Sequence, residues 1–131
     1  MQNLMRAYSL NSVEMFPSYQ ESLNEWRVGT TFYGDFVVAQ HYSEKDSSLY
    51  ALEDTFKRAF GEWKNSIKYM VELCLVMNHL CWNTFSEGKM EISGWYSDRY
   101  YQIKSWIFGE DESGSQRFAS EDLEKAFDVL D

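Results

Sequence analysis

From Leu49 onward, apolar positions recur with a helical period. Leu49, Leu52, Phe56, Ala59, Phe60 and Trp63 fall at i, i+3, i+7, i+10, i+11 and i+14, one face of an amphipathic helix. Glu53–Lys57 and Asp54–Arg58 are i, i+4 pairs of the favourable order on its polar side. Asn65-Ser66 offers a break or a new N-cap. The next helix spans about 66–86 and is apolar almost all round. Ile67, Met70, Val71, Cys74, Met77, Asn78, Cys81, Trp82 and Phe85 form one stripe, and Leu73, Val76 and Leu80 cover much of the other side. Such a helix belongs at the centre of a fold. Ser86-Glu87-Gly88 ends it.

Ser93 is the expected cap of a following helix that carries Ile92, Trp95, Tyr96, Arg99, Tyr100, Ile103, Trp106 and Ile107 and stops at Gly109. An acidic Ser/Gly loop leads to Ser120. That serine is the expected cap of a last helix burying Leu123, Ala126, Phe127 and Leu130. Before Leu49 the pattern is less decisive. TTFYGDFVVAQHY, residues 30–42, has strand-forming residues, but no second strand is visible to satisfy its backbone, so a short helix over 36–42 capped by Asp35 is expected. Ser18 and Glu21 make a capping box for a helix over 19–27, closed by Gly29. Residues 1–16 read as a loosely structured N-terminal arm. The expected fold is all-α: a single domain over 1–131, a compact bundle of three to four main helices around the 66–86 helix.

Composition agrees. The chain has 131 residues, 44% hydrophobic and 18% aromatic, with one proline. It can build a core without disulfides or a structural metal. Net charge is −9, and residues 109–131 hold eight acids against Arg117 and Lys125. That balance argues against direct nucleic-acid binding, which needs clustered cations. It suits a protein partner with a basic surface. No apolar run of about 20 residues occurs, so no membrane span is expected. The N-terminus lacks the pattern of a signal peptide. Two unpaired cysteines fit a reducing compartment, so a cytoplasmic location is expected.

Candidate chemistry concentrates in MVELCLVMNHLCW, residues 70–82, where Glu72, Cys74, Asn78, His79 and Cys81 occur together. Seven residues of helix separate the two cysteines by about 10.5 Å, too far for a disulfide. C-x₆-C is also not zinc-ligand spacing. The thiols read as small hydrophobes of a core. No metal, cofactor or catalytic residue is expected, since nucleophile-elbow, phosphate-loop, dinucleotide and zinc-protease motifs are all missing. Glu72, Asn78, His79 and Trp82 remain candidates to line a pocket between helices. Tyr101, with Tyr42 or Tyr50, is a candidate contact residue on the surface.

Three stretches resemble one family. They are Asp35-Phe36…Ala39, Asp54-Thr55-Phe56…Ala59-Phe60…Glu62-Trp63-Lys64 and Val71-Glu72-Leu73…Met77-Asn78-His79…Trp82. The family comprises small acidic proteins encoded on mobile elements, conjugative transposons and prophage-like islands, of gut Bacteroidetes and Firmicutes. The resemblance covers roughly residues 32–108, with Val71 where the family carries Thr. It implies a bacterial host and an accessory role and supplies no activity. The leading expectation is therefore a non-enzymatic protein that acts through protein–protein contacts, with a homodimer as one form. The alternatives are an acidic DNA-mimic inhibitor of a DNA-binding enzyme, or a small-ligand binder using the Glu72–Trp82 residues.

Overall fold

A computed structural model describes residues 32–128, with side chains to residue 125. The expected arm over 1–16, the helix over 19–27 and the packing of Ala126, Phe127 and Leu130 lie outside the described residues. Five helices follow in order: α1 (Phe32–Asp46), α2 (Tyr50–Trp63), α3 (Ile67–Ser86), α4 (Met90–Phe108) and α5 (Ser120–Asp128). The described residues contain no strand, only an isolated bridge between Glu110 and Gln116. The all-α expectation holds.

α3 is the hub. It packs most heavily on α4 and also touches α1, α2 and α5. Residues 70–81 are buried without interruption, over more than three turns, so every side of the helix is covered. One hydrophobic cluster draws side chains from all five helices. Its fully buried members include Leu73, Leu75, Met77, Tyr96, Tyr100, Ile103 and Ile107. Burying an aliphatic side chain of this kind stabilises by roughly 1.5–3 kcal/mol, so α3 and α4 together form the energetic centre.

The ends of α3 follow from its sequence. Ser66 has extended backbone, and its hydroxyl accepts from the Tyr69 amide at 3.3 Å, the expected N-cap. At the other end Gly88 has φ 78°, Gly88 N–H reaches Phe85 O (3.0 Å) and Lys89 N–H reaches Thr84 O (2.8 Å). This paired closure needs a left-handed residue, which glycine supplies without strain.

Three boundaries differ from expectation. α1 begins at Phe32, not 36, so Asp35 is a first-turn anion and not a cap. The added turn is recruited by Phe32, which is buried edge-on against Trp63 (6.1 Å) and Tyr69 (6.2 Å). α4 begins at Met90, one turn before Ser93. Ser93 is buried, and its hydroxyl donates to Cys81 O at 3.0 Å, tying α4 to α3 where a cap was expected. Ser120 lies within α5, and its hydroxyl donates to Gln116 Oε1 (3.1 Å).

Candidate functional site

The sequence candidates of α3 are split between interior and border. Asn78 and His79 are fully or almost fully buried, Glu72 is buried, and Trp82 is partly exposed. His79 Nε2 lies 3.1 Å from Asn83 Nδ2, one turn on, and its ring meets Tyr33 of α1 at 5.4 Å. Trp82 packs edge-on against Phe85 at 6.1 Å. Glu72 and His79 share a side of the helix but lie seven residues apart, about two turns. Two clefts at the ends of the helices, one at Ser43–Leu49 and Lys89–Ile92 and one at Lys64, Trp106 and Arg117, are not lined by Glu72, Asn78, His79 or Trp82.

Burial pushes the Glu72 carboxyl above its ordinary range, against a smaller opposing pull from Lys68, and its Oε2 has no hydrogen-bond partner. Both cysteines are buried thiols outside any disulfide. Burial drives the Cys74 thiol far up, away from thiolate chemistry. Among the described residues no group of His, Cys, Asp and Glu could hold a metal ion. Nor is any helix there long and apolar enough to cross a membrane.

The sequence reading missed the polar contacts between helices. Glu53 Oε1 accepts from Trp95 Nε1 (2.6 Å) and from the Arg99 guanidinium, which bridges α2 to α4. Its expected partner was Lys57. Burial raises the Glu53 carboxyl, but the hydrogen bonds from Arg99 and Trp95 outweigh that and hold it low. Arg99 lies 5.1 Å from the Trp95 ring and 5.6 Å from the Phe56 ring, so it serves the interior side and not the exposed tyrosines. Asp54–Arg58 pairs as expected at 3.4 Å. Further along, Arg117 stacks on Trp106 at 3.6 Å and donates to Trp106 O at 2.9 Å, closing the end of α4. Asp111 accepts from the Ser113 and Ser115 amides (2.9 and 3.0 Å), so the acidic loop has a defined turn.

On the outside, Tyr101, Tyr42 and Tyr50 are all exposed, and Tyr101 packs edge-on against Tyr100 at 5.0 Å. The outer face of α1 carries exposed apolar residues. Phe32, Phe36, Ala39 and Ser43 point into the core, and on the opposite face Val37, Val38 (57% exposed) and Tyr42 (57%) point out. His41 shares that outer face, its ring 5.9 Å from Tyr42. Asp35, Glu44 and Asp46 on the same helix are exposed acids. No known protein family, curated protein or solved structure matches the chain.

Proposed function

We propose that this chain is a non-enzymatic accessory protein of a bacterial mobile element, working in the cytoplasm through contact with another protein. One observation carries the reading. α1 is apolar on both faces, and the face bearing Val37, Val38 and Tyr42 stands in solvent. A helix face of this kind is a typical contact surface, and tyrosine is favoured at such surfaces. The occupant is a protein whose apolar patch is ringed by Lys and Arg. It complements the exposed acids of α1 and the net charge of −9. The resemblance over residues 32–108 supports the mobile-element setting.

A photo-cross-linking residue at position 42, in cells carrying the intact element, tests this. The reading expects one dominant product with a basic partner, lost when V37K and V38K are added to the same probe-bearing chain. Cross-links only between copies of this chain, or none, would overturn it. A second reading has its own support. Glu110, Asp111, Glu112, Glu121, Asp122 and Glu124 are all exposed on one segment, as an inhibitor mimicking nucleic acid would need. A DNA-binding enzyme as the partner, with DNA competing for it more weakly as salt rises, would favour that reading.

A further inference from the structure

Among the described residues, three glycines stand inside helices where the fold itself does not require them. Gly34 of α1, Gly61 of α2 and Gly94 of α4 are all exposed, and a Cβ added at any of them would meet no atom of the described residues within 4 Å. None has the left-handed backbone that favours glycine, which Gly88 and Gly114 do have. Glycine within a helix is less stable than alanine, so each of the three is a loss to the isolated chain.

Their surroundings differ. One turn to either side of Gly61 stand Lys57, Arg58, Lys64 and Asn65, all exposed and polar. Around Gly94 stand Met90, Glu91, Ser97 and Asp98, two of them exposed acids. Gly34 instead opens the apolar outer face of α1. Val37 and Val38 follow it at i+3 and i+4, and His41 and Tyr42 at i+7 and i+8, all exposed. At about 3.6 residues per turn, Gly34, Val38, His41 and Lys45 form one row. That row lies opposite the buried row of Phe32, Phe36, Ala39 and Ser43. Bare backbone at Gly34, with valine side chains standing one turn on, makes a notch in the exposed face.

A glycine on a contact face lets another backbone come close, and the distance between packed helices is set by the side chains at their crossing. We propose that Gly34 is the point of closest approach on α1, where a helix of the basic protein partner crosses it. The partner's backbone rests on the glycine, and its apolar side chains pack against Val37, Val38 and Tyr42. This inference rests on the reading of α1 as a contact surface and adds the partner's element and the residue that selects it. Charge fits the same end of the row. Asp35 is exposed beside Gly34, and the net charge is −9, which suits Lys and Arg around the crossing. Lys45 closes the other end and keeps such a ring away from it.

Four variants test this, Gly34→Ala, Gly34→Leu, Gly61→Ala and Gly94→Ala, each in the full chain with the cross-linker at position 42. The first readout, the melting temperature of the purified chain, needs no partner. All four should melt no lower than the parent, because alanine and leucine favour helix and the space is open. The second readout is the yield of partner product in cells carrying the intact element. Gly34→Ala should lower it about fivefold and Gly34→Leu further, the scale of overfilling a packed contact, while Gly61→Ala and Gly94→Ala leave it unchanged. A partner product formed equally by all four variants would overturn the crossing at Gly34 and leave the contact surface standing. A lower melting temperature for either Gly34 variant would assign the glycine to the fold and also overturn it. No partner product from the parent chain would overturn the reading of α1, and this inference with it.

Discussion

Glu53 and Glu72 sit on neighbouring helices, and folding moves their carboxyls in opposite directions. Glu53 is held below the ordinary carboxylate value of 4.5 because Arg99 and Trp95 outweigh its burial, so it stabilises the fold above that pH. The contribution fades as pH falls through its lower folded value. Glu53→Gln should therefore cost about 1–2 kcal/mol at neutral pH, the scale of hydrogen bonds to a charged group, and progressively less as pH falls through the lower folded value. Glu72 is the reverse. Burial raises it, so its ionisation costs the folded state at neutral pH and costs nothing once both states are protonated. Glu72→Gln should stabilise by about 1 kcal/mol at pH 7, a gain that disappears below about pH 4. Urea unfolding at three pH values checks both signs. The sequence could name Glu53 as a pairing residue but not its partner. Local spacing offered Lys57 four residues on, whereas Arg99 lies 46 residues away. The His79–Asn83 contact, at i, i+4, is legible in the spacing of the sequence.

Helices were read well where their faces differ and poorly where they do not. α2 has one apolar face, and its register follows the spacing of Leu52, Phe56 and Ala59. α1 is apolar on two faces, one in the core and one in solvent, so its period is blurred and it resembled a strand. Its first turn depends on Phe32 meeting Trp63 and Tyr69, a tertiary contact that no local signal contains. Ser93 and Ser120 failed as caps because both hydroxyls have partners elsewhere. The junction after α4 allows a sharper prediction. A Cβ added at Gly109 would lie 2.7 Å from both Ser105 O and the Arg117 guanidinium. The Ser105 atom is backbone and cannot swing aside. Gly109→Ala should thus cost about 1–3 kcal/mol and displace Arg117 from Trp106, read as a change in tryptophan emission together with lower thermal stability. Arg117→Ala should give the same spectral change with a smaller loss of about 1 kcal/mol, since it removes the stack and one hydrogen bond without a clash.

At the scale of the whole molecule, the 70–82 segment decides how the protein is understood. Read as chemistry, it offers two thiols, an imidazole and a carboxylate. Read as packing, it is the part of α3 that α4 and the other helices cover. The all-round apolar pattern made that centre visible in advance, and burial of every residue from 70 to 81 bears it out. The exposed apolar face of α1 was harder to see, because exposure of Val37, Val38 and Tyr42 depends on how α1 docks and not on their own sequence. Function in this account lies on the outside of a core that holds reactive residue types inertly. Thiol labelling tests that claim most directly, with an aromatic disulfide reagent applied to the native chain across low urea concentrations. The account predicts that Cys74 and Cys81 react only through global unfolding. Their protection should equal the unfolding free energy from circular dichroism and fall with the same urea slope. Fast, urea-independent labelling of either thiol under native conditions would contradict it and return the segment to the status of a reactive site.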